Sequence, residues 1–103
     1  MASYRITFKL TVMTPDMLVY ENEVESVFLT GDRGEYELLP YHFPVLGILR
    51  SGNIIIDWKE SIPIRSGIVR VFANDCIILV EPHAKEKEVV KKEDEIAFSA
   101  DDE

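Results

Sequence analysis

The sequence has little of what covalent staples and most active sites are built from: one cysteine, two histidines and one tryptophan. A single cysteine excludes an internal disulfide. Cys76 lies in the apolar run Cys76-Ile77-Ile78-Leu79-Val80, which predicts a buried, inert thiol. His42 and His83 stand far apart, and without paired cysteines they give no zinc spacing, so no metal is expected. Gly31-Asp32-Arg33-Gly34 lacks the Gly-Lys-Ser/Thr that closes a phosphate loop, so neither a nucleotide nor another cofactor is expected. No nucleophile turn surrounds Ser66 or Cys76, and catalysis is not expected. Basic residues are also few. Eleven Lys and Arg against 19 Asp and Glu give a net charge of −8, which opposes binding to nucleic acid or anionic lipid and favours a protein partner. No apolar run approaches the roughly 20 residues of a spanning helix. The N-terminus enters an alternating pattern with no apolar signal core before it, so a bacterial, cytoplasmic start is expected.

What is present reads as one all-β domain. With 47% hydrophobic and 29% charged residues in 103, the composition is globular. Ile6, Phe8, Leu10 and Val12 alternate with polar residues, the period-two pattern of a strand with one wet face. Thr14-Pro15-Asp16 breaks that strand, and Met17 to Tyr20 predicts a second before the polar corner Glu21-Asn22-Glu23. Val24 to Thr30 predicts a third, ended by the Gly31 to Gly34 turn. Further strands are predicted at Glu35–Leu39, Leu46–Arg50 and Ile54–Trp58. Lys59-Glu60-Ser61 reads as a turn into Ile62–Arg65, where Pro63 demands an edge or a bulge. Ile68–Phe72 and Cys76–Glu81 form the plainest hairpin, around Ala73-Asn74-Asp75. Eight to ten short strands fit a sandwich or a barrel, and a two-sheet sandwich is the preferred reading. Residues 85–103 hold four lysines against eight carboxylates, half of the net charge, and read as a short charged tail able to form one or two helical turns. The organisation is therefore a domain over 1–84 and a tail over 85–103.

One loop stands out. In Leu39-Pro40-Tyr41-His42-Phe43-Pro44 two prolines fix φ at both ends, giving a stiff, extended segment in which Tyr41 and Phe43 point opposite to His42. Either it is a core-anchored corner with His42 satisfied by a backbone group, or it is a rigid contact loop for a protein.

These residues together resemble the epsilon subunit of F-type ATP synthases, called delta in mitochondria. Phe8-Lys9-Leu10-Thr11-Val12-Met13-Thr14-Pro15-Asp16 is similar to the family's opening strand and turn, and Glu23-Val24-Glu25-Ser26-Val27 to its Val-Glu-Ser-Val stretch. Gly31, Gly34-Glu35, and then Leu39-Pro40, His42 and Pro44 resemble the family's acidic loop and its Leu-Pro-Gly-His-Ala-Pro motif. Gly52, Ser66-Gly67, Val69, Val71 and Asn74 to Val80 continue the resemblance, which covers residues 6 to about 84. Tyr41 stands where the family has Gly, Phe43 where it has Ala, Glu37 where Gly is common, and Ile68 replaces the second Gly of a Ser-Gly-Gly pair. If the backbone takes positive φ at the first of these, Tyr41 is strained.

The resemblance implies a non-catalytic sandwich at the foot of the central stalk, a monomer when isolated, that grips the gamma subunit, touches the membrane rotor ring and couples ion transport to ATP synthesis. It implies a peripheral place on the cytoplasmic face of a bacterial plasma membrane, reached only through the complex. The Gly31 to Gly34 loop, with Asp32, Arg33 and Glu35, would face the ring, and Tyr41, His42 and Phe43 would lie in a neighbouring contact region. The family's two-helix domain has no counterpart in the acidic tail, so its regulatory role is not carried over; Asp102-Glu103 is expected to be a natural end. Two other readings remain: a stand-alone β-sandwich module for a peptide or carbohydrate, using Trp58, Tyr41 and Phe43, and a small hydrolase using His42.

Overall fold

The computed structural model describes residues 5–82. The tail over 85–103 with its expected helical turns, the boundary at 84, and His83 lie outside the described residues.

Nine strands follow one another: β1 Phe8–Met13, β2 Leu18–Val24, β3 Val27–Gly31, β4 Gly34–Leu38, β5 Val45–Leu49, β6 Gly52–Ile56, β7 Glu60–Ile64, β8 Ser66–Phe72 and β9 Asp75–Glu81. No helix among the described residues is long and apolar enough to cross a membrane. The hydrogen-bonded order is β2-β1-β9-β8-β5-β3-β6-β7, with β4 on the other edge of β3. All pairings among the described residues are antiparallel except β1 with β9. The link between β5 and β3 is a single pair, Gly31 with Leu49. This is where the curled sheet folds over into two layers: β2, β1, β9, β8 and β5 in the first, β4, β3, β6 and β7 in the second. A sandwich is the result, with the strand number within the expected range.

The period-two pattern explains the packing. Leu10 and Val12 of β1, Cys76, Ile78 and Val80 of β9, Val69 and Val71 of β8 and Leu49 of β5 turn inward from the first layer. They meet Val27 and Leu29 of β3, Leu38 of β4, Ile54 and Ile56 of β6 and Ile64 of β7 in one core. Burial of such side chains contributes roughly 1.5–3 kcal/mol each before entropy is counted.

Several boundaries differ from the expected ones. β2 runs on through Glu21, Asn22 and Glu23 to Val24, and β3 starts only at Val27. The reason is the edge position of β2: among the described strands it pairs with β1 alone, so polar residues there remain in water while keeping their ladder bonds. The β6–β7 turn falls at Asp57-Trp58-Lys59, one to two residues before the expected place. Lys59 N–H donates to the Ile56 carbonyl at 2.9 Å, and Asp57 and Trp58 both have positive φ, 53° and 56°. That is the signature of a type I′ hairpin turn. Pro63 does lie on an edge strand, and Cys76 does face the core.

The registers assign each connection to one end of the sandwich. At one end lie the β1–β2 turn, the β3–β4 turn, the β5–β6 corner and Arg65, whose N–H donates to the Glu81 carbonyl at 2.8 Å. At the other lie Thr7, Ser26, the β4–β5 loop, the β6–β7 turn and the β8–β9 turn.

Candidate interaction surface

The six residues singled out in the sequence divide between these two ends. Asp32 and Arg33 are the exposed turn of the β3–β4 hairpin, and Glu35 follows on β4, opposite Thr30. Gly34 takes φ 129°, a conformation that side chains rarely adopt, so glycine is required where the chain reverses. Asp32 N–H donates to the Ile48 carbonyl and Arg50 N–H to the Thr30 carbonyl, tying this hairpin to the β5–β6 corner.

Tyr41, His42 and Phe43 sit at the opposite end, beyond Val45. Five residues of β5 separate the two groups, about 13 Å at ~3.3 Å per step. His42 therefore does not neighbour the Glu35 hairpin, because β4 returns alongside β3 before the loop begins. Alternation holds within the loop: Tyr41 and Phe43 are 75% and 73% exposed, whereas His42 is half-buried. His42 Nδ1–H donates to the Phe43 carbonyl at 2.8 Å, the backbone satisfaction expected of a corner histidine. Tyr41 has φ 62°, the left-handed conformation that the glycine of the resembling motif would accommodate. Asn74 anchors it: its Oδ1 accepts the Tyr41 N–H at 2.6 Å and its Nδ2 donates to the Thr7 carbonyl at 2.9 Å. Trp58, at the same end, is engaged within the fold. Its ring lies 5.1 Å from that of Phe28, and its N–H donates to Glu37 at 3.0 Å.

Among the described residues, a broad exposed apolar field lies elsewhere, on the outer face of the first layer. Ile48 of β5 pairs with Ile68 of β8, Ile68 with Leu79 of β9, Leu79 with Met13 of β1 and Met13 with Leu18 of β2. This apolar row crosses five strands, and Ile48, Ile68, Leu79 and Leu18 are 41% to 60% exposed. In the next row Leu46, 76% exposed, pairs with Arg70, and Arg70 with Ile77. Phe72 stands exposed in the row beyond, opposite Asp75, which pairs on its other side with Lys9 of β1. Pro44, Leu46, Arg70 and Phe72 border a shallow, open groove there. Contiguous apolar surface of this kind marks an interaction site. Among the described residues, β2, the Lys9–Glu21 ion pair at 3.1 Å and the Ser66 hydroxyl donating to Glu81 at 3.0 Å give this face a polar margin.

The sequence reading missed these residues, although it held their signal. Val45 to Leu49 and Cys76 to Val80 are nearly unbroken apolar runs, whereas an antiparallel strand with one wet face alternates. An unbroken run in such a sheet means that both faces are apolar, and among the described residues one of them lacks a cover.

Few groups here are electrostatically set for reaction. Burial, reinforced by the charge of Asp75, pushes the Cys76 thiol up to about 12, and burial also raises Tyr36. No group of three or more His, Cys, Asp or Glu among the described residues could hold a metal ion.

Comparison with known proteins agrees with the architecture. A family model for the ATP synthase Delta/Epsilon chain, beta-sandwich domain, matches residues 7–85. The chain is 38% identical over 98 residues to the ATP synthase epsilon chain of a Nitratiruptor species, covering 86% of this chain and 76% of that one. It is 34% identical over 85 residues to the ATP synthase epsilon chain of Chlorobium limicola, covering 79% of this chain and 97% of that one. Among solved structures, a chain of the Tetrahymena thermophila mitochondrial ATP synthase, central stalk and c-ring, shares the fold with TM-score 0.65 and 18% identity, over 90% of this chain and 78% of that one. The chain thus belongs to the ATP synthase delta/epsilon family, as a non-catalytic subunit built on the family's β-sandwich domain.

Proposed function

We propose that this subunit works in the central stalk of a bacterial F-type ATP synthase, bound to the gamma subunit and to the membrane rotor ring, and transmits the torque that couples ion transport to ATP synthesis. The observation that carries this reading is the row Ile48–Ile68–Leu79–Met13–Leu18, uncovered among the described residues, with Leu46 and Phe72 beside it. A torque-bearing subunit needs a broad, stiff contact, and a five-strand sheet face supplies one without any active site. Gamma is assigned to this face. The Asp32-Arg33 turn and Glu35 are assigned to the ring, as polar groups at the tip of a hairpin braced by the corner. Tyr41, His42 and Phe43 are assigned to a second contact at the opposite end. The subunit is then peripheral on the cytoplasmic face of the plasma membrane, held there by its complex, and a monomer when isolated. Co-expression with gamma and ring subunits of the same source, followed by co-purification, tests this. Stable association, weakened by Glu35→Ala or His42→Ala, is the expected result. Association indifferent to both would remove those two assignments, and absence of any association would remove the rotor role.

A further inference from the structure

Among the described residues, Arg70 is the one cation enclosed by the apolar part of this face. Ile68 and Phe72 flank it along β8, and Leu46 and Ile77 stand opposite it on the two neighbouring strands. It makes no ion pair with any described carboxylate: the described pairs are Arg5–Glu25 and Lys9–Glu21. Asp75, the diagonal neighbour on β9, does not meet it, and Asp75 Oδ1 is buried without a hydrogen-bond partner among the described residues. Among the described residues the guanidinium is exposed and open to water. A partner that covers Leu46, Ile68 and Phe72 removes that water, and an unpaired charge left behind would oppose the association that the apolar contact drives. The planar fork of an arginine is matched by a carboxylate, with two parallel hydrogen bonds.

We infer that the protein surface seated on this face carries an Asp or Glu carboxylate opposite Arg70, and that this pair selects the partner. The inference rests on the reading that gamma covers the face. A partner lacking the carboxylate is rejected by the stranded charge, whereas the apolar rows alone would accept many surfaces.

Binding of purified gamma to the full chain, at low and high salt, tests the pair with Arg70→Met, Arg70→Glu and Ile68→Asp. Both positions are exposed, so unchanged unfolding midpoints are expected and serve as the folding control. The expected result is a loss of at least about tenfold for Arg70→Met, about 1.4 kcal/mol, a larger loss for Arg70→Glu, and a flatter salt dependence for Arg70→Met than for the parent chain. If Ile68→Asp weakens binding while Arg70→Met binds as well or more tightly, the carboxylate is overturned and the covered face stands. If the parent chain fails to bind, or Ile68→Asp binds like it, the face assignment falls and takes this inference with it.

Discussion

At position 41 a tyrosine holds φ at 62°, where an L side chain costs roughly 1–2 kcal/mol relative to ordinary helical or extended backbone. Its ring is largely in water, so little packing offsets that cost. Tyr41→Gly is therefore expected to raise stability by roughly 0.5–1 kcal/mol, read from the urea midpoint, with the Asn74 bond to the backbone retained. A fall in stability would mean that the ring packs more than its exposure suggests. Cys76 makes a prediction in pH. Its thiol is shifted from an ordinary value of 9.0 to about 12 in the fold, chiefly by burial. A folded value above the unfolded one means that the unfolded chain loses its proton first as pH rises. The contribution is thus complete below about pH 9 and is lost between 9 and 12. The unfolding free energy of the parent chain should fall more steeply over that window than that of Cys76→Ala. Parallel slopes would contradict the burial argument.

Among the elements, hairpins and edge strands show what the sequence made legible. Strict alternation placed β1, and Pro63 placed β7 at an edge, because each pattern has one physical solution. The turn residues were harder. Asp57-Trp58 and Ala73-Asn74 adopt positive φ although none of the four is glycine, and tertiary bonds hold them there. Asp57 Oδ1 accepts the Glu25 and Ser26 N–H groups at 2.7 and 3.0 Å, contacts more than thirty residues away that no local pattern encodes. Asn74 does the same for the β4–β5 loop. Asn74→Ala removes two hydrogen bonds and a residue tolerant of left-handed backbone, so a loss of about 2 kcal/mol is expected in urea unfolding. Asn74→Gly should differ from it in sparing the backbone. The outer face of β5, β8 and β9 was legible in principle, through apolar runs that do not alternate.

On the scale of the whole molecule, the sandwich has two outer faces of different character. The second layer carries Glu35, Glu37 and Asn53 outward, with Trp58 closed onto Phe28. The first carries an apolar field interrupted by Arg70. An acidic domain with one such field is suited to a single oriented attachment: the charge keeps the rest of the surface in water while the field is covered. The predicted loop residues lie at the two ends, so under the proposed attachment they would bound it in the direction of the strands rather than make its centre. Under the proposed attachment the load would be spread over five hydrogen-bonded strands, which needs no catalytic group.

Because Cys76 is buried and unreactive, single cysteines placed on the surface can report coverage of this field directly. Leu46→Cys and Ile68→Cys would be labelled with a maleimide in the free subunit and in the assembled synthase, with Asn53→Cys on the other layer as the control for general shielding. Fast labelling of Leu46→Cys and Ile68→Cys in the free subunit, and strong protection of both in the complex beyond any change at Asn53→Cys, is the result predicted. Equal labelling of both positions before and after assembly would contradict the claim that this sheet face is where the subunit is held.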